Sequence, residues 1–570
     1  MRSYLLAFPE LLAYWDWLLT LEKYELTSIA LVVLISFWLG WFVVKALLVS
    51  VLRLFGCATP ILYTRLSIIP WRPFYRVYML MGKWREQVFR FGRYSTGGFA
   101  GFFATLTLQY TRKKIFIGKV WAWGVGLPQS VGLSVTRHLA IFAMTGAGKT
   151  TLLITLLRLW RGSAWLIDPK GQITDALARC DKRREWVVFR PYEPDNTAQW
   201  NPFDDIKFAM AREGKNAAVK WSMRLAQSLV ITPEGTKQPF FTTTSKQFFS
   251  ALVMHIISYH PDEEHNLPFA RQLICYFYRI YNDDGALEST KEESRNLLYK
   301  IMDENPSFGE AIGKAASAFT SAKGDTEASL LSTLQEQTQW LDDPSVAHML
   351  MVTTRPLSDA KTCGDAVFSL VLPVLSIRQE LKPLVRAYTN FTIYTFEAVP
   401  NKKDQCLAVI DEIQAQGYNE TIEVALPVAR SSGLTIVAIA QDIEGMSSSY
   451  PNTYKSFLGN ADAVLWMATN HPDNREYLSR ELGKKTIIEK DKISGRKSYR
   501  EINVMEPEQI GRFLTPESWN MIATRAGKRG LKLKLDPYFK ALPVWAYDAD
   551  PDHKEPLFRR ISRFFLNKKT

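Results

Sequence analysis

The feature that most constrains this chain is a glycine-rich loop between a short apolar strand and a helix-like segment. The loop AMTGAGKT occupies 143–150, after the strand-like run 138–142 and before 151–161, where leucines recur at helical spacing. Glycines let backbone N–H groups turn towards phosphate oxygens, and the helix N-terminus adds a partial positive charge. A strand, such a loop and a helix in this order indicate a phosphate-binding loop in an α/β domain. The general pattern begins with Gly, whereas this chain has Ala143, which is small enough for the loop to close.

The loop predicts the contacts of a bound nucleotide. Lys149 is expected to reach the β- and γ-phosphates, and the Thr150 hydroxyl is expected to ligate Mg²⁺. ATP and Mg²⁺ are therefore the predicted cofactors. The residues predicted to bind ATP are Thr145, Gly146, Ala147, Gly148, Lys149, Thr150 and Thr151.

An acidic strand end lies far along the chain from this loop. The apolar run 407–410 ends in Asp411 and Glu412, and Asp411 lies 262 positions after Lys149 (411 minus 149). Nucleotide hydrolysis needs one carboxylate near Mg²⁺ and another that orients the attacking water, so we assign Asp411 to Mg²⁺ and Glu412 to the water. Asp168 also ends an apolar run but has no adjacent glutamate, and a turn residue before a proline is the simpler interpretation. The gap predicts a large module inserted into the nucleotide-binding domain.

Two further polar residues follow the acidic pair. The strand-like run 433–440 ends at Gln441, where a polar side chain is well placed to contact the γ-phosphate. Arg430, on the predicted helix before that strand, is either an arginine finger supplied to a neighbouring subunit or an ordinary surface arginine. Its chemistry alone leaves both interpretations open. The predicted catalytic residues are thus Lys149, Glu412, Arg430 and Gln441.

Composition narrows the partners and disfavours several kinds of site. The chain has 570 residues, enough for several domains, and a formal net charge of +13, which favours nucleic acid or an acidic membrane surface. Its five cysteines include no C-x-x-C pair, which disfavours a disulfide framework and a cysteine metal site. The seven histidines do not cluster at metal-ligand spacing and form no histidine triad of the kind that DNA-nicking enzymes use.

The N-terminal part predicts a membrane anchor at 1–56. Residues 26–44 are 19 uncharged residues, about the length of a helix that spans a bilayer core. A signal peptide and a buried core helix are the alternatives, but the run is long and no small-residue cleavage site follows it. The apolar stretch 4–21 carries Glu10 and Asp16, so it is either a second spanning helix or an interfacial one.

Charge predicts the orientation of the anchor. Residues 51–120 contain twelve basic residues and one acid, so the positive-inside rule places everything after the span in the cytoplasm. Contact of this patch with DNA is an alternative. We assign 57–130 to a basic juxtamembrane segment, in which the uncharged stretch 94–111 is predicted as strand and turn. The role of Cys57 stays open.

The middle of the chain differs from its flanks. Between 205 and 400 strand-like runs are rare, and helical periodicity dominates at 217–230, 245–259, 287–302, 311–341 and 365–381. We predict an all-α insertion domain at 205–400, which divides the nucleotide-binding domain into 131–204 and 401–545.

Two smaller segments are less decisive. Residues 232–244 are predicted as a loop, in which Phe240 and Phe241 either stack on bases or, the simpler interpretation, pack into a core. Residues 546–570 are predicted as a short basic tail that is solvated, with contact to a membrane or DNA as the alternative.

Several segments carry a family resemblance when taken together. They are, in order, Arg137-His138 before AMTGAGKTT, IDPKG at 167–171, WVVF at 186–189, NPF at 201–203, VIDEIQAQG at 409–417, VARSSGLTIVAIAQ at 428–441, and FLGNADAVLWMATNHPDNREYLSRELGKKT at 457–486. Over about 130–540 the chain resembles the coupling proteins of type IV secretion and bacterial conjugation, the TraG/TraD group, with a weaker match in the middle. The IDPKG block and the last block are the specific parts.

The resemblance implies a RecA-like, ring-forming ATPase, anchored in the bacterial inner membrane with the bulk of the chain in the cytoplasm. Arg430 then matches the family's trans-acting arginine and Gln441 its γ-phosphate sensor. An arginine supplied by a neighbour requires a closed ring, which suits a homohexamer. The implied partners are single-stranded DNA bound without sequence preference, a relaxase with its relaxosome, and the type IV secretion channel. Recruitment through the long C-terminal extension of some family members is not expected.

Three rival functions differ from a DNA-pumping motor. A receptor would use ATP for assembly and dock cargo without pumping. An exporter of protein effectors would use the same motor on another cargo, and the sequence does not separate these cargoes. A chromosome-pumping relative is disfavoured by the IDPKG block and by the absence of a terminal DNA-reading domain.

Overall fold

The computed structural model of the chain describes residues 99–100, 105, 107–121, 128–134, 138–232, 239–278, 290–400, 405–451, 453–490 and 497–548. The two predicted membrane segments, 4–21 and 26–44, lie outside these residues, as do Cys57, most of 57–130 and most of 546–570. Over the described ranges, no helix combines the length and the hydropathy that a bilayer span requires.

A mixed β-sheet organises the described residues. The strands are β1 (Ile115–Trp121), β2 (Pro128–Leu133), β3 (His138–Phe142), β4 (Ala164–Asp168), β5 (Glu185–Phe189), β6 (Ala366–Val371), β7 (Cys406–Ile410), β8 (Leu434–Ala440), β9 (Ala461–Trp466), β10 (Lys484–Lys490), β11 (Lys497–Asn503), β12 (Asn520–Arg525) and β13 (Lys528–Lys534). Eleven of them form one sheet in the order β2-β1-β13-β12-β9-β3-β8-β7-β4-β6-β5, while β10 and β11 pair separately. The strands from β9 to β5 run parallel, whereas β12, β13, β1 and β2 pair antiparallel.

The central strands are buried on both faces. Every residue of β3, β4, β7 and β8 is buried, which explains their nearly continuous apolar sequences. Alternate side chains face two separate cores: Phe142 belongs to one, and Leu139 and Ile141 belong to the other. A parallel sheet needs helices on both faces, and the chain supplies them.

The helices of the described residues are α1 (Lys149–Leu159), α2 (Gln172–Leu177), α3 (Pro202–Glu213), α4 (Ala217–Leu229), α5 (Phe240–Tyr259), α6 (Leu267–Tyr276), α7 (Lys291–Glu304), α8 (Ser307–Thr320), α9 (Asp325–Thr338), α10 (Pro344–Met349), α11 (Asp359–Thr362), α12 (Val374–Arg378), α13 (Lys382–Ala398), α14 (Glu420–Ala425), α15 (Ile443–Ser449), α16 (Tyr454–Asn460), α17 (Pro472–Leu482), α18 (Pro507–Phe513) and α19 (Tyr538–Ala541). Helix α1 packs in the core that contains Leu139. Helices α3 to α10 pack in the core that contains Phe142.

The prediction that 205–400 is entirely helical is wrong at its end. Residues 366–371 form β6, which pairs with β4 on one side and β5 on the other. We predicted a helix over 365–381, but only Val374–Arg378 within it is helical. A strand between two parallel neighbours is buried on both faces, so its short apolar run shows no alternation and resembles a buried helix. The helical insertion therefore lies between β5 and β6.

The predicted loop at 232–244 is also corrected. Residues 233–238 lie outside the described part, and α5 already begins at Phe240. Phe240 is 50% exposed and Phe241 is 38% exposed. The prediction that both rings pack into the core of the chain is therefore wrong. Their closest ring contact is with each other, edge to face at 5.4 Å.

Two predicted domain boundaries shift. Strand β1 lies inside the predicted juxtamembrane segment 57–130, yet it pairs with β13 of the main sheet. The predicted tail began at 546, but Tyr547 is buried against Tyr538, and Asp548 donates its N–H to the Ala176 carbonyl at 2.8 Å. The folded domain thus extends from before β1 to Asp548 within the described residues. Within the stretch 94–111, predicted as strand and turn, the described residues show a turn at 107–108 and isolated bridges at Phe99 and Gln109, but Thr105 is helical and none of them belongs to a strand.

Candidate nucleotide-binding site

The glycine-rich loop is fixed between two strands that flank β3. The Ala143 N–H bonds the Ala440 carbonyl at 3.0 Å, and the Met144 N–H bonds the Ala468 carbonyl at 3.1 Å. Gly146 and Gly148 have φ values of 79° and 87°, a region that favours glycine. Thr145 and Gly146 are exposed, and α1 begins at the next lysine. The first N–H groups of α1 have no partner within the helix and are available to an anion at this loop.

The sheet topology brings the distant acidic pair to the loop. Strands β3, β8 and β7 are parallel neighbours, so their carboxyl ends meet at one edge. The Lys149 Nζ lies 2.8 Å from Glu412 Oε1 and 3.2 Å from Asp411 Oδ1. Gln441, directly after β8, donates from Nε2 to both oxygens of Glu412 at 3.2 Å. Four predicted site residues, from three separate segments of the chain, therefore form one cluster.

Glu412 has an uncommon backbone conformation. Its φ and ψ are 57° and 51°, the left-handed region that non-glycine residues seldom occupy. Its N–H bonds Asp411 Oδ1 at 3.1 Å, and a short 3₁₀ turn, Ile413–Gln416, begins directly after it. This turn directs the Glu412 carboxylate towards Lys149. Strained backbone of this kind clusters at functional sites, where surrounding structure maintains it.

The pKa values of the two acids in the cluster shift in opposite directions. Burial raises the pKa of Asp411, and the positive charge of Lys149 only partly offsets this. Burial also acts to raise the pKa of Glu412, but Lys149 and the hydrogen bond from Gln441 bring that pKa below its usual value. Burial lowers the pKa of Lys149, but the charges of Asp411 and Glu412 outweigh it, so the ammonium form is favoured. With both acids ionised, the three side chains carry a net charge of about −1, which suits a cation.

The Thr150 hydroxyl has a partner that the sequence did not indicate. Its Oγ1 lies 3.4 Å from Oε1 of Gln172, the first residue of α2. Thr151, the last predicted loop residue, is buried in the first turn of α1. Gln172 directly follows the IDPKG segment, and this position is the one sequence feature that could have pointed to its contact with Thr150.

Asp168 lies at the end of β4 and is fully buried. Its Oδ2 accepts hydrogen bonds from the N–H and Oγ1 of Thr174, at 2.9 and 2.8 Å. Burial raises the pKa of this carboxyl to about 6. The Gly171 N–H closes a turn onto the Asp168 carbonyl at 3.2 Å. These bonds agree with its interpretation as a turn residue, one that fixes the start of α2.

Arg430 is exposed and lies in the turns after α14. The prediction that it lies on a helix is wrong. Among the described residues, no ion pair or hydrogen bond joins its side chain to Lys149, Asp411, Glu412 or Gln441. Its role as an arginine supplied to a neighbour stays a prediction.

A buried histidine ties this turn to the strand that leads into the loop. His138, the first residue of β3, accepts at Nδ1 from the Ile436 N–H at 3.1 Å. Its Nε2 therefore carries the proton and donates to the Leu426 carbonyl at 2.5 Å. Leu426 lies four residues before Arg430, so the imidazole bridges β3, β8 and the turns that carry the arginine. The sequence shows His138 only as the neighbour of Arg137 before the glycine-rich loop, which does not indicate this role.

Comparison with known proteins identifies relatives of most of the described part of the chain. The family model described as type IV secretory system conjugative DNA transfer matches residues 105–541. The probable conjugal transfer protein TraG of Sinorhizobium fredii is 24% identical over 387 residues, 65% of this chain and 57% of that protein. Protein VirD4 of Agrobacterium fabrum is 24% identical over 506 residues, 85% of this chain and 71% of that protein. The chain spans under three fifths of the matched TraG proteins, including that of Escherichia coli, at 58%.

Solved structures show the same fold. The bacterial conjugative coupling protein TrwB, without its first 70 residues, superposes with a TM-score of 0.57 at 18% identity, over 78% of this chain and 94% of that one. TrwB in complex with ADP and Mg²⁺ gives a TM-score of 0.55 at 17% identity, over 77% and 94% of the two chains. This likeness confirms the predicted α/β fold.

Proposed function

The chain belongs to the type IV secretory system conjugative DNA transfer family, and on that premise we propose that it is a coupling ATPase of the TraG/TraD group. It would bring single-stranded DNA with its bound relaxase to a type IV secretion channel and drive its transfer by ATP hydrolysis. The observation that carries the proposal is the cluster of Lys149, Asp411, Glu412 and Gln441 beside the glycine-rich loop.

The residues present fit a nucleotide with Mg²⁺. The loop offers positive-φ glycines and the N-terminus of α1 to phosphate oxygens, and the two acids beside Lys149 leave negative charge for a metal. TrwB was solved with ADP and Mg²⁺ and with a non-hydrolysable ATP analogue, and we extend this binding to the present chain. Thr145 to Thr151 would hold the phosphates, and Thr150 and Asp411 would hold Mg²⁺.

Each member of the cluster has a distinct part in hydrolysis. ATP with Mg²⁺ supplies, when bound, the phosphoryl group and the neutralisation of its charge. Lys149 exchanges part of its pairing with the acids for phosphate oxygens. Glu412, whose lowered pKa keeps it ionised at neutral pH, then accepts a hydrogen bond from water and orients it. Gln441 fixes the Glu412 carboxylate and would sense the state of the site.

The assembly belongs to the same proposal. Arg430 is exposed and would complete the site of a neighbouring subunit, which suits a homohexameric ring. The uncharged segment 26–44 and the basic residues after it support an anchor in the bacterial inner membrane, with the bulk of the chain in the cytoplasm. The net charge of +13 supports sequence-neutral contact with DNA. The relaxosome and the secretion channel are partners that we propose from the family.

Glu412→Gln tests the motor directly. The variant keeps a side chain of equal size but loses the carboxylate, so we expect ATP binding to persist and hydrolysis to fall about 100-fold or more. Binding is measured by calorimetry, hydrolysis by phosphate release, and DNA transfer in a strain that depends on this protein.

Lys149→Ala is the matched control, because it should lose binding and hydrolysis together. Loss of transfer with Glu412→Gln supports a motor. Normal transfer by a variant that binds but does not hydrolyse ATP would favour a cargo-docking receptor, and the motor proposal would fail.

A further inference from the structure

We propose that Trp519 is the platform on which the base of the bound nucleotide stacks. The inference rests on the proposed nucleotide binding at 143–151 and extends it to the base. Trp519 lies between the 3₁₀ turn Pro516–Ser518 and β12, more than 360 residues after the loop.

The indole ring lies directly on the last glycine of the loop. A Cβ atom placed on Gly148 would be 2.7 Å from Cζ3 of Trp519 and 3.2 Å from Cε3, inside contact distance. No side chain other than hydrogen therefore fits at this position while the ring stays. Gly148 directly precedes Lys149 and Thr150, so the ring borders the phosphate-binding segment.

The fold maintains this placement through a strained turn. Trp519 has φ 54° and ψ 19°, the left-handed region, where a bulky residue is an outlier. Its carbonyl accepts from the Leu535 N–H at 2.9 Å, and the Asn520 N–H bonds Ser518 Oγ at 3.1 Å. Ser518 Oγ in turn donates to the carbonyls of Phe513 and Thr515. Bonds on both sides thus hold a conformation whose result is an indole on the loop.

Trp519 is not sealed inside the protein. It packs against the core that contains α1, and the residue as a whole is only half-buried. A glycine-rich loop binds phosphates through its N–H groups but offers no apolar surface to a base. Trp519, a half-buried aromatic residue beside Gly148, would provide the flat apolar surface on which a purine stacks.

Stacking predicts how the site selects nucleotides. Every purine has a π-face, so a stacked base is accepted with little regard to its edge groups. We therefore expect adenine and guanine nucleotides to bind with affinities within about tenfold of each other. Trp519 then contributes affinity and orientation, while the loop residues contribute the contacts to phosphate.

The test compares a nucleotide with a probe that lacks the base. Binding of ATP, GTP and inorganic tripolyphosphate, each with Mg²⁺, is measured by calorimetry on the purified full chain and on Trp519→Leu. Leucine keeps an apolar contact with Gly148 but cannot stack. We expect the affinity for ATP and GTP to fall about tenfold, which corresponds to about 1.4 kcal/mol, while tripolyphosphate binding is unchanged.

Trp519→Phe is the conservative control and should retain most of the affinity for ATP and GTP. The inference is overturned if Trp519→Leu weakens tripolyphosphate as much as ATP, because the ring would then only support the loop. It is also overturned if the affinity for ATP does not change, or if the variant binds neither ligand. Failure of the wild-type chain to bind ATP would instead refute the proposed function, independently of Trp519.

Discussion

Buried acids in this protein differ in charge according to their partners. Glu412 has Lys149 at 2.8 Å, and its pKa lies below the usual value. Asp205, in the first turn of α3, accepts a hydrogen bond from the Trp200 Nε1–H at 2.7 Å and forms no ion pair with any described residue. Burial, reinforced by the charge of Asp204, raises the pKa of Asp205 to about 7. A buried carboxylate beside a cation is therefore held ionised, whereas one that lacks a cation carries a desolvation cost.

Asp205→Asn should stabilise the protein in a pH-dependent way. The unfolded carboxyl has a pKa near 3.8 and the folded one about 7, so the folded state binds more protons between these values. Wild-type stability therefore falls as the pH rises through this window, by about 1.4 kcal/mol for each unit of pKa difference at most. Asparagine keeps an acceptor for Trp200 and removes the titration. We expect a higher melting temperature than wild type at pH 8 and a much smaller difference at pH 5.

An increase in melting temperature of equal size at pH 5 and pH 8 would contradict this account. A variant that is less stable than wild type at pH 8 would also contradict it. Asp204→Asn is the control, because the adjacent acid is not fully buried and should change the pH dependence less.

At this scale the sequence predicted residues that belong to continuous motifs. Lys149, Asp411, Glu412 and Gln441 were found because each follows or lies in a recognisable strand end, and parallel strands place such ends together. Gln172, His138 and Trp519 were missed because their roles arise from contacts between segments that the sequence does not connect.

At the scale of elements, strand β6 and the start of helix α5 were among those mispredicted, each for a physical reason. Strand β6 has the sequence AVFSLV and is buried between β4 and β5, so its apolar run carries no period that separates it from a helix. Helix α5 begins at Phe240 in a run of threonines with weak helix propensity, where burial of Thr242 and Thr244 compensates. Strands that end in motif residues were predicted well, because the motif fixed their place in the sheet.

We expect His138 to affect ATP hydrolysis by holding the turns that carry Arg430 against β3. His138→Leu removes both its bond to Leu426 and its bond from Ile436, each worth about 1 kcal/mol, without touching the loop itself. We expect a lower maximal rate of ATP hydrolysis with little change in ATP affinity, because the arginine is displaced while Lys149 stays in place.

Rate and affinity are measured separately, by phosphate release at saturating ATP and by calorimetry. His138→Gln, which keeps a donor and an acceptor, should lose less of the rate than His138→Leu. An affinity that falls in proportion to the rate would show that the histidine only supports β3.

At the scale of the whole molecule, the helical insertion and the sheet share one core. Trp165 of β4, Trp221 of α4 and Phe391 of α13 belong to the same buried cluster, and the rings of Trp221 and Phe391 are 5.7 Å apart. In the described residues, the insertion therefore packs directly against the rest of the domain.

The central claim is that ATP hydrolysis in a ring is coupled to DNA. The most direct measurement is the ATPase rate of the purified, detergent-solubilised full chain with and without single-stranded DNA, beside Lys149→Ala and Arg430→Ala. We predict that DNA raises the rate, that added salt weakens this stimulation, and that both variants abolish hydrolysis. A wild-type rate that is indifferent to DNA, or an Arg430→Ala variant as active as wild type, would contradict the account.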